Sequence, residues 1–424
     1  MPISRTITVP NRASGDVAVY TYSSANSSTL RYQNFPSAWK IEQMVRSHTI
    51  YPRFRFFVLN PDETVRYEIP AADIRQGGSY SENYQSGQRR SISLTLNNES
   101  GKYTPSVNGF WANTKISFEI GMAFPEDNDT TLWFSKGIYV LTSIGPSHSA
   151  SSKDVSMEFS DKFAVLEGAL GVLPTSYEIP VGTNIEEALE DILMYGKGDG
   201  DCLDPKPMIY HSSFKGKTTQ ATIEGSTGDS WGSIVLSLAE QLSAEVFYNT
   251  AGNLTLVPKV EVTDDGDKPV LYDLFENEGD FSDNGMSYDM TQIVNRVVVI
   301  GANVNGGTCQ AIAVNDDASS PLCYQRIGYR TGAPVNDSNI TSDVLAQERA
   351  DYELRQQLIA KTTISNTVLF NPLLTVNNIV TITDSFYGLE RERVLLQSIS
   401  FSIDYSGTMS ISSTNIRNLP YTTA

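Results

Sequence analysis

The sequence is poor in cysteine, histidine and positive charge, and each shortage removes a class of function. Its 424 residues hold three cysteines and three histidines. Cys202, Cys309 and Cys323 are odd in number and too few for a disulfide scaffold. They read as free thiols of a chain made in a reducing cytosol, with a Cys309–Cys323 bridge across a loop as the alternative. His48, His148 and His211 show no metal-ligand spacing such as His-Glu-x-x-His. His148 sits in the run Gly145-Pro146-Ser147-His148-Ser149, which reads as a turn, so it is expected as a solvated surface imidazole. Lys and Arg number 31 against 49 Asp and Glu, a formal net charge of −18. That balance excludes a general grip on nucleic acid, which needs cations to neutralise phosphates, and adhesion to an anionic membrane. Long apolar runs are also missing. The densest, Val297 to Ile300, is strand-sized and far from the ~20 residues of a membrane span. Met1 to Pro10 lack the apolar core of a signal peptide, so neither secretion nor membrane insertion is expected.

The chemistry-bearing motifs are missing too. There is no Gly-x-Ser-x-Gly elbow and no Walker A loop. Gly301-Ala302-Asn303-Val304-Asn305-Gly306-Gly307 follows a strand but lacks the glycine spacing of a dinucleotide site. The acidic runs Gly198 to Asp204 and Asp264-Asp265-Gly266-Asp267 lack the ligand order of a calcium loop and read as solvated turns. Among 49 acids some pair for glycoside hydrolysis is always available, and nothing singles one out. No catalytic, cofactor-binding or metal-ligating residue is therefore named, no cofactor is expected, and the chain does not read as an enzyme.

What is abundant is β pattern and small polar residues. Charged residues are only 19% of the chain, below the ~25% of an average soluble domain, and Ser, Thr and Asn fill the gap. Residues 1–48, with Tyr20, Tyr22, Tyr32, Phe35 and Trp39, read as an extended arm. Tyr51 to Leu59 is dense in aromatic and β-branched residues. Ile92, Leu94 and Leu96 alternate with Ser and Thr, as do Ile116, Phe118 and Ile120, and Val155, Met157 and Phe159, the period of half-buried strands. Ile138 to Ile144 adds another strand.

The middle changes character. Thr183 with Glu186 reads as a capping box, followed by an apolar stripe of Ile185, Ala188, Leu189, Ile192 and Leu193. A second helix, capped by Asp229 or Ser230, carries Trp231, Ile234, Val235, Leu238 and Leu242 on one face. A hairpin then runs from Glu245 to Tyr248, through a turn at Asn249 to Asn253, and back from Leu254 to Val257. After a buried strand at Val294 to Ile300, residues 301–340 read as a long loop. A helix over about 342–361 carries Leu345, Tyr352, Leu358 and Ile359. Strands follow at Ile379–Thr383, Val394–Ile403 and Met409–Ile411, the last two joined by a turn at Asp404-Tyr405-Ser406-Gly407.

The two β regions resemble each other. Tyr139 to Ile144 aligns with Val394 to Ile399, both ending in Leu-x-Ser-Ile. Ser156 to Ser160 aligns with Thr408 to Ser412, and Lys115 to Ile120 with Asn378 to Thr383. The expected fold is β-rich α+β: two similar small β-barrel domains, an α/β peripheral domain, and an inserted loop plus helix. The divisions are an arm at 1–48, a first barrel at 49–168, the peripheral domain at 169–284, and a second barrel at 285–424. Two like domains per chain let a trimer build a quasi-six-fold ring.

The segment from about 285 onward resembles the baseplate hub proteins of contractile phage tails and related injection systems. The residues that carry the likeness are the strand Ile293 to Gly301 and the helix Ala346 to Leu354. Phe370-Asn371-Pro372-Leu373-Leu374 and the ending Leu395 to Phe401 complete it. Where the family has Gly-Asp before the strand at Ile379, this chain has Asn377-Asn378, and Asn also tolerates a left-handed turn. Gln88 to Asn98 is similar to a strand of hub first domains. The resemblance implies a homotrimer whose ring joins the tail tube to the central spike and lets DNA pass without specific binding. It further implies contacts with other baseplate proteins and the tape measure protein, and a place in the virion after synthesis in the bacterial host cytoplasm. The acid excess is then expected to line the channel. Rival readings are a receptor- or carbohydrate-binding adhesin, with exposed aromatics in 301–340, and a cell-wall hydrolase.

Overall fold

Period-two alternation dominates the early chain and its last third, and strands form there. The computed structural model describes residues 4–10, 17–23 and 51–415, apart from breaks at 107–108, 125–129, 169–170, 195–202, 205, 243, 259–269, 277–279, 289, 292, 305–306, 321, 338–339, 341, 358–361 and 405. Of the expected arm, β1 (Ser4–Pro10) and β2 (Val17–Ser23) form an antiparallel hairpin, and Tyr32, Phe35 and Trp39 lie outside the described residues. The first β region holds β3 (Tyr51–Leu59), β4 (Val65–Glu68), β5 (Gly78–Asn83), β6 (Arg90–Asn97), β7 (Lys115–Phe124), β8 (Thr130–His148) and β9 (Lys153–Asp161).

The α/β stretch follows with β10 (Tyr177–Ile179), α1 (Ile185–Leu193), β11 (Ile209–Tyr210), β12 (Ile223–Gly225), α2 (Trp231–Gln241), β13 (Ala244–Tyr248) and β14 (Leu254–Pro258). Next come β15 (Val270–Phe275), which β1 lies against, β16 (Phe281–Tyr288), β17 (Arg296–Val304) and β18 (Gly307–Val314). The chain closes with α3 (Tyr324–Ile327), β19 (Val335–Asn336), α4 (Asp343–Gln357), β20 (Thr362–Leu369), β21 (Ile379–Asp384), β22 (Leu389–Ile403) and β23 (Thr408–Asn415).

Thirteen of these strands form one sheet. Its path runs β16-β20-β23-β22-β5-β6-β9-β8-β7-β3-β4, with β21 on β22 and β15 on β21. The path repeats itself: β5-β6-β9-β8-β7 has the same order and antiparallel sense as β16-β20-β23-β22-β21. Both halves carry a β-bulge at the same place, one extra residue between Leu141 and Ser143 and one between Leu396 and Ser398. The outermost partners differ, since β3 lies antiparallel to β7 and β15 parallel to β21. One core serves both halves: Phe56 stacks on Phe118 at 4.7 Å, and Tyr80 of β5 stacks on Phe401 of β22 at 4.7 Å.

The register corrects the sequence alignment of the repeats. Ile144 faces Met157 and Ile399 faces Ile411, so Met157 matches Ile411 and not Met409, a slip of two residues. Tyr139 faces Ile116 and Val394 faces Val380, so Ile116 matches Val380 and not Ile379, a slip of one. A two-residue slip preserves every side chain's face and is invisible to alternation. The turn expected at Gly145 to Ser149 is also corrected: β8 runs through Gly145 and Pro146 to His148, and the chain reverses at Ser149 to Ser152.

The α/β stretch packs around its own core, from Phe163 to Leu256. Ile185, Ala188, Leu189, Ile192 and Leu193 are all buried, as the stripe predicts. The cap is not Thr183. Asn184 accepts from the Glu186 amide at 2.9 Å, while the Thr183 hydroxyl donates to the Pro180 carbonyl. Ser230, not Asp229, caps α2, accepting from the Ser233 amide at 3.1 Å.

Residues 301–340 are not a plain loop. β18 pairs antiparallel with β17, and β19 parallel with it, to make a separate three-stranded sheet under α4. The face that α4 buries is Ala346, Ala350 and Leu354, whereas Leu345 and Tyr352 are exposed and Leu358 and Ile359 lie outside the described residues. Small residues let the helix approach the sheet closely, and a reading that looks for large apolar side chains passes over them.

Candidate functional surface and the joints behind it

Strand alternation sends one face of the large sheet inward; the other meets solvent over β20, β23, the last part of β22, β5, β6 and β9, while part of β8 carries contacts to the α/β stretch. In β6, Ile92, Leu94 and Leu96 are wholly buried while Ser91, Ser93 and Thr95 between them are half-buried. The outward residues of β22 are Ser398, Ser400 and Ser402, those of β23 are Ser410, Ser412 and Thr414, and those of β20 are Thr363, Ser365 and Thr367. Register then sets hydroxyl beside hydroxyl. Thr367, Ser410, Ser400, Ser81, Ser91 and Ser160 are successive cross-strand partners, a row that crosses both repeats. The Ser81 and Ser91 hydroxyls lie 2.8 Å apart. Ser402, Ser79, Ser93, Glu158 and Ser143 make a parallel row. Glu158 and Asp283 add negative charge, and Asp154 is tied to Arg75 at 3.0 Å. This face is where the surplus of serine and threonine goes: short hydroxyls and a few acids, a surface with little to hold a phosphate.

Behind the face, buried ions tie the units together. Glu245 of β13 accepts from Arg89 at 2.7 Å, from the Tyr84 hydroxyl, and from the Asn377 amide at 2.7 Å. One carboxylate thus joins the α/β stretch to both β regions. Arg89 also lies over the Phe247 ring at 3.6 Å. Burial and Glu245 both push the Tyr84 hydroxyl well above its ordinary range, so it stays a donor. Asn377 has φ 60, the left-handed turn that asparagine tolerates, which also sets its side chain toward Glu245. Next to this joint, Glu82 of β5 and Arg90 of β6 pair at 2.8 Å while almost wholly buried.

A second joint centres on Glu63, held at φ 64 in the β3–β4 turn. It meets Lys162 at 2.7 Å, Lys115 at 2.8 Å and Lys206 at 3.1 Å, and Lys162 also pairs with Asp204. Burial raises the Glu63 carboxyl, but Lys162 and Lys115 outweigh it and hold the group below its ordinary value. Asp204, expected in a solvated turn, is wholly buried, and residues 195–202, Cys202 among them, lie outside the described residues, as does 264–267. Two further ionisable groups are shifted by burial. The Asp161 carboxyl rises to about 6 although the Arg89 and Arg90 amides donate to it, at 2.6 and 2.9 Å. The Lys136 amine falls to about 8, its proton donated to the Leu374 carbonyl at 3.0 Å, so that β8 is stitched to the second β region.

Apart from Asp204, which the acidic run Gly198 to Asp204 included, none of these charged residues stood out in the sequence. A signal was there for Glu82 and Arg90, which fall in the inward phase of adjoining strands beside Tyr80 and Ile92. His148 is exposed, and Cys309 and Cys323 are free buried thiols. Among the described residues there is no group of three or more His, Cys, Asp or Glu placed to hold a metal, and no helix is long and apolar enough to cross a membrane. In 301–340, Tyr324 and Tyr329 stack on each other at 4.8 Å with Arg296 beside Tyr329.

No protein-family model matches the sequence, and no curated protein matches it. Solved structures do match the fold. A 43 kDa tail protein of prophage MuSo2 from Shewanella oneidensis is 15% identical, with a TM-score of 0.55 over 86% of this chain and 98% of that one. A tail protein from Neisseria meningitidis MC58 is 10% identical, with a TM-score of 0.55 over 85% and 96%. A chain of the Francisella PdpA–VgrG complex is 12% identical, with a TM-score of 0.51 over 88% of this chain and 59% of that one. The fold is that of these two tail proteins and of the chain from the PdpA–VgrG complex.

Proposed function

We propose that this protein is the baseplate hub of a phage tail, a structural part of the virion and not an enzyme. Three copies close a quasi-six-fold ring that joins the tail tube to the central spike, and DNA passes through it. The observation that carries the reading is the duplicated five-strand unit, with its matched bulge, joined edge to edge through β22 and β5. A chain with two near-equivalent units meets a six-fold tube on one side, and as a trimer a three-fold spike on the other. Each unit is a barrel-like domain, the first at 49–168 and the second at 285–424 with β15 and the start of β16 added to it, and the rest of 169–284 on the outside. Strand β17 to helix α4 decorates the second unit and serves contacts with other baseplate proteins.

The hydroxyl-lined face turns toward the channel. With few cations to capture phosphates, and with Glu158 and Asp283 to repel them, it lets a polyanion slide. This refines the expectation of an acid-lined channel: most of the wall is neutral. The test is native mass spectrometry of the full chain, alone and with the spike and tube proteins of its own particle. A trimer is expected in at least the second case, and a chain that stays single in both contradicts the reading.

A further inference from the structure

The joint centred on Glu63 holds the parts of an acyl transfer as well as those of an ion cluster. Lys162 opens the 3-10 turn Lys162–Leu166 that follows β9, and Asp204 stands 42 residues on, in the α/β stretch after α1. Both side chains are wholly buried and in direct contact. The Lys162 amine is held from three sides: by Asp204 Oδ1, by Glu63 Oε1 at 2.7 Å and by the Gly252 carbonyl at 3.0 Å. The Tyr248 ring lies 5.2 Å from it. Burial drives the amine below its ordinary range, although Asp204 and Glu63 oppose the shift. The neutral form, which is the nucleophile, is thereby brought within reach.

The two carboxyl groups are set for different roles. The Asp204 amide donates to the Leu193 carbonyl at 3.2 Å, which fixes the residue behind α1. Its Oδ1 accepts from the Lys206 amide at 2.9 Å, a donor that stabilises negative charge on that oxygen. Oδ2 is buried and makes no hydrogen bond of normal geometry among the described residues, with the Tyr248 hydroxyl beside the carboxyl. Asp204 is thus polarised on one oxygen and loosely held on the other, as an acyl donor needs to be. Glu63 is the reverse. Burial opposes its charge, but Lys162 and Lys115 hold it ionised, and Lys206 stands at 3.1 Å. A carboxylate so held is a poor acyl donor and a ready base. Three ammonium groups face two carboxylates in the cluster, so one lysine can give up a proton and leave the whole neutral.

We propose that Lys162 and Asp204 condense to an amide cross-link once the chain has folded, with Glu63 carrying the protons. The deprotonated Lys162 Nζ attacks Asp204 Cγ. The N–C bond forms as the carbonyl electrons move onto Oδ1, against the Lys206 amide. Glu63 takes a proton from the nitrogen and passes it to Oδ2, the C–Oδ2 bond breaks, and the electrons return from Oδ1. Two of the three ammonium protons leave with Oδ2 as one water, and the third stays on the amide. No oxidant or other reactant is needed. The product replaces two buried charges, which are costly to keep from water, by a neutral amide. It also ties the α/β stretch covalently to the first β unit, so that load on one is carried by the other. The bond stands whether or not the ring does.

The full chain, recovered unfolded from inclusion bodies, is diluted out of urea, and its mass is followed in acid-quenched samples. Wild type is expected to end lighter than its sequence by one water, and digestion to yield a branched peptide that joins Lys162 to Asp204. Lys162→Arg is expected to keep its full mass. Asp204→Asn, which expels ammonia in place of water, is expected to reach the same final mass as wild type. Glu63→Gln is expected to slow closure by about a hundred-fold or more. Glu63→Asp keeps the charge that the lysines need but draws the base back, and is expected to close slowly too. Circular dichroism identifies the folded variants. Folded wild type that keeps its full mass overturns the cross-link. A branch between any other pair overturns the assignment, and a folded Glu63 variant that closes at the wild-type rate overturns the role of Glu63.

Discussion

Glu245 of the α/β stretch holds three partners from the two β regions, and removing it leaves the Arg89 guanidinium buried without its counter-charge. Breaking one side of such a pair costs about 3–5 kcal/mol. Glu245→Ala is expected to lose that much in urea unfolding, while a surface change such as Glu158→Ala stays within about 0.5 kcal/mol. Lys136 makes the opposite case. Burial lowers its amine to about 8, with Glu82 offsetting part of the shift. Between pH 8 and its ordinary value of 10.5, the unfolded chain holds a proton that the folded chain has lost, so stability rises with pH across that window. The full rise is about 3 kcal/mol. Lys136→Met is expected to be neutral or stabilising at pH 7 and to flatten the rise between pH 8 and 10, and parallel curves for the two proteins would count against this. At this scale the sequence is mute for a physical reason. A lysine or glutamate written in a strand carries no mark of whether it points to water or to a partner brought from over a hundred residues away. Asn377 was legible because a left-handed turn restricts residue type by itself.

At the scale of elements, strands were legible wherever alternation was strict, as in Ile92, Leu94 and Leu96, and helices wherever an apolar stripe was wide, as in α1. Three features were not. The run Gly145-Pro146 looks like punctuation, but a proline whose missing N–H faces away from the paired neighbour, here β9, does not end a strand. The repeat was visible, and its register was not: a two-residue slip keeps parity, and β21, buried at four consecutive residues, has no alternation to fix even that. The third is α4, which packs through Ala346 and Ala350. There the close approach leaves no room, so Ala350→Leu is expected to cost about 1–3 kcal/mol by overpacking. The same change at exposed Gln347 is expected to cost almost nothing. Thermal unfolding of both variants checks this, and equal midpoints would mean that the helix does not seat on the sheet as described.

For the whole molecule, composition and architecture explain each other. The low charge and the surplus of serine and threonine follow from a broad sheet that has one face in a shared core and the other lined with hydroxyls. If that face is a sliding surface, cations placed on it will make it stick. Ser81→Lys with Ser400→Lys, adjacent across the β5–β22 joint, adds six positive charges to a trimer's channel. Fluorescence anisotropy with short duplex DNA is expected to show salt-sensitive binding by the assembled variant and none by wild type. Tight binding by wild type would refute the sliding face.

The ring itself is the central claim, and one image decides it most directly. Electron microscopy of the protein assembled with its spike and tube, averaged down the axis without imposed symmetry, is predicted to show three chains making six similar lobes around an open channel. Six chains in the ring, or one chain without neighbours of its own kind, would contradict the account.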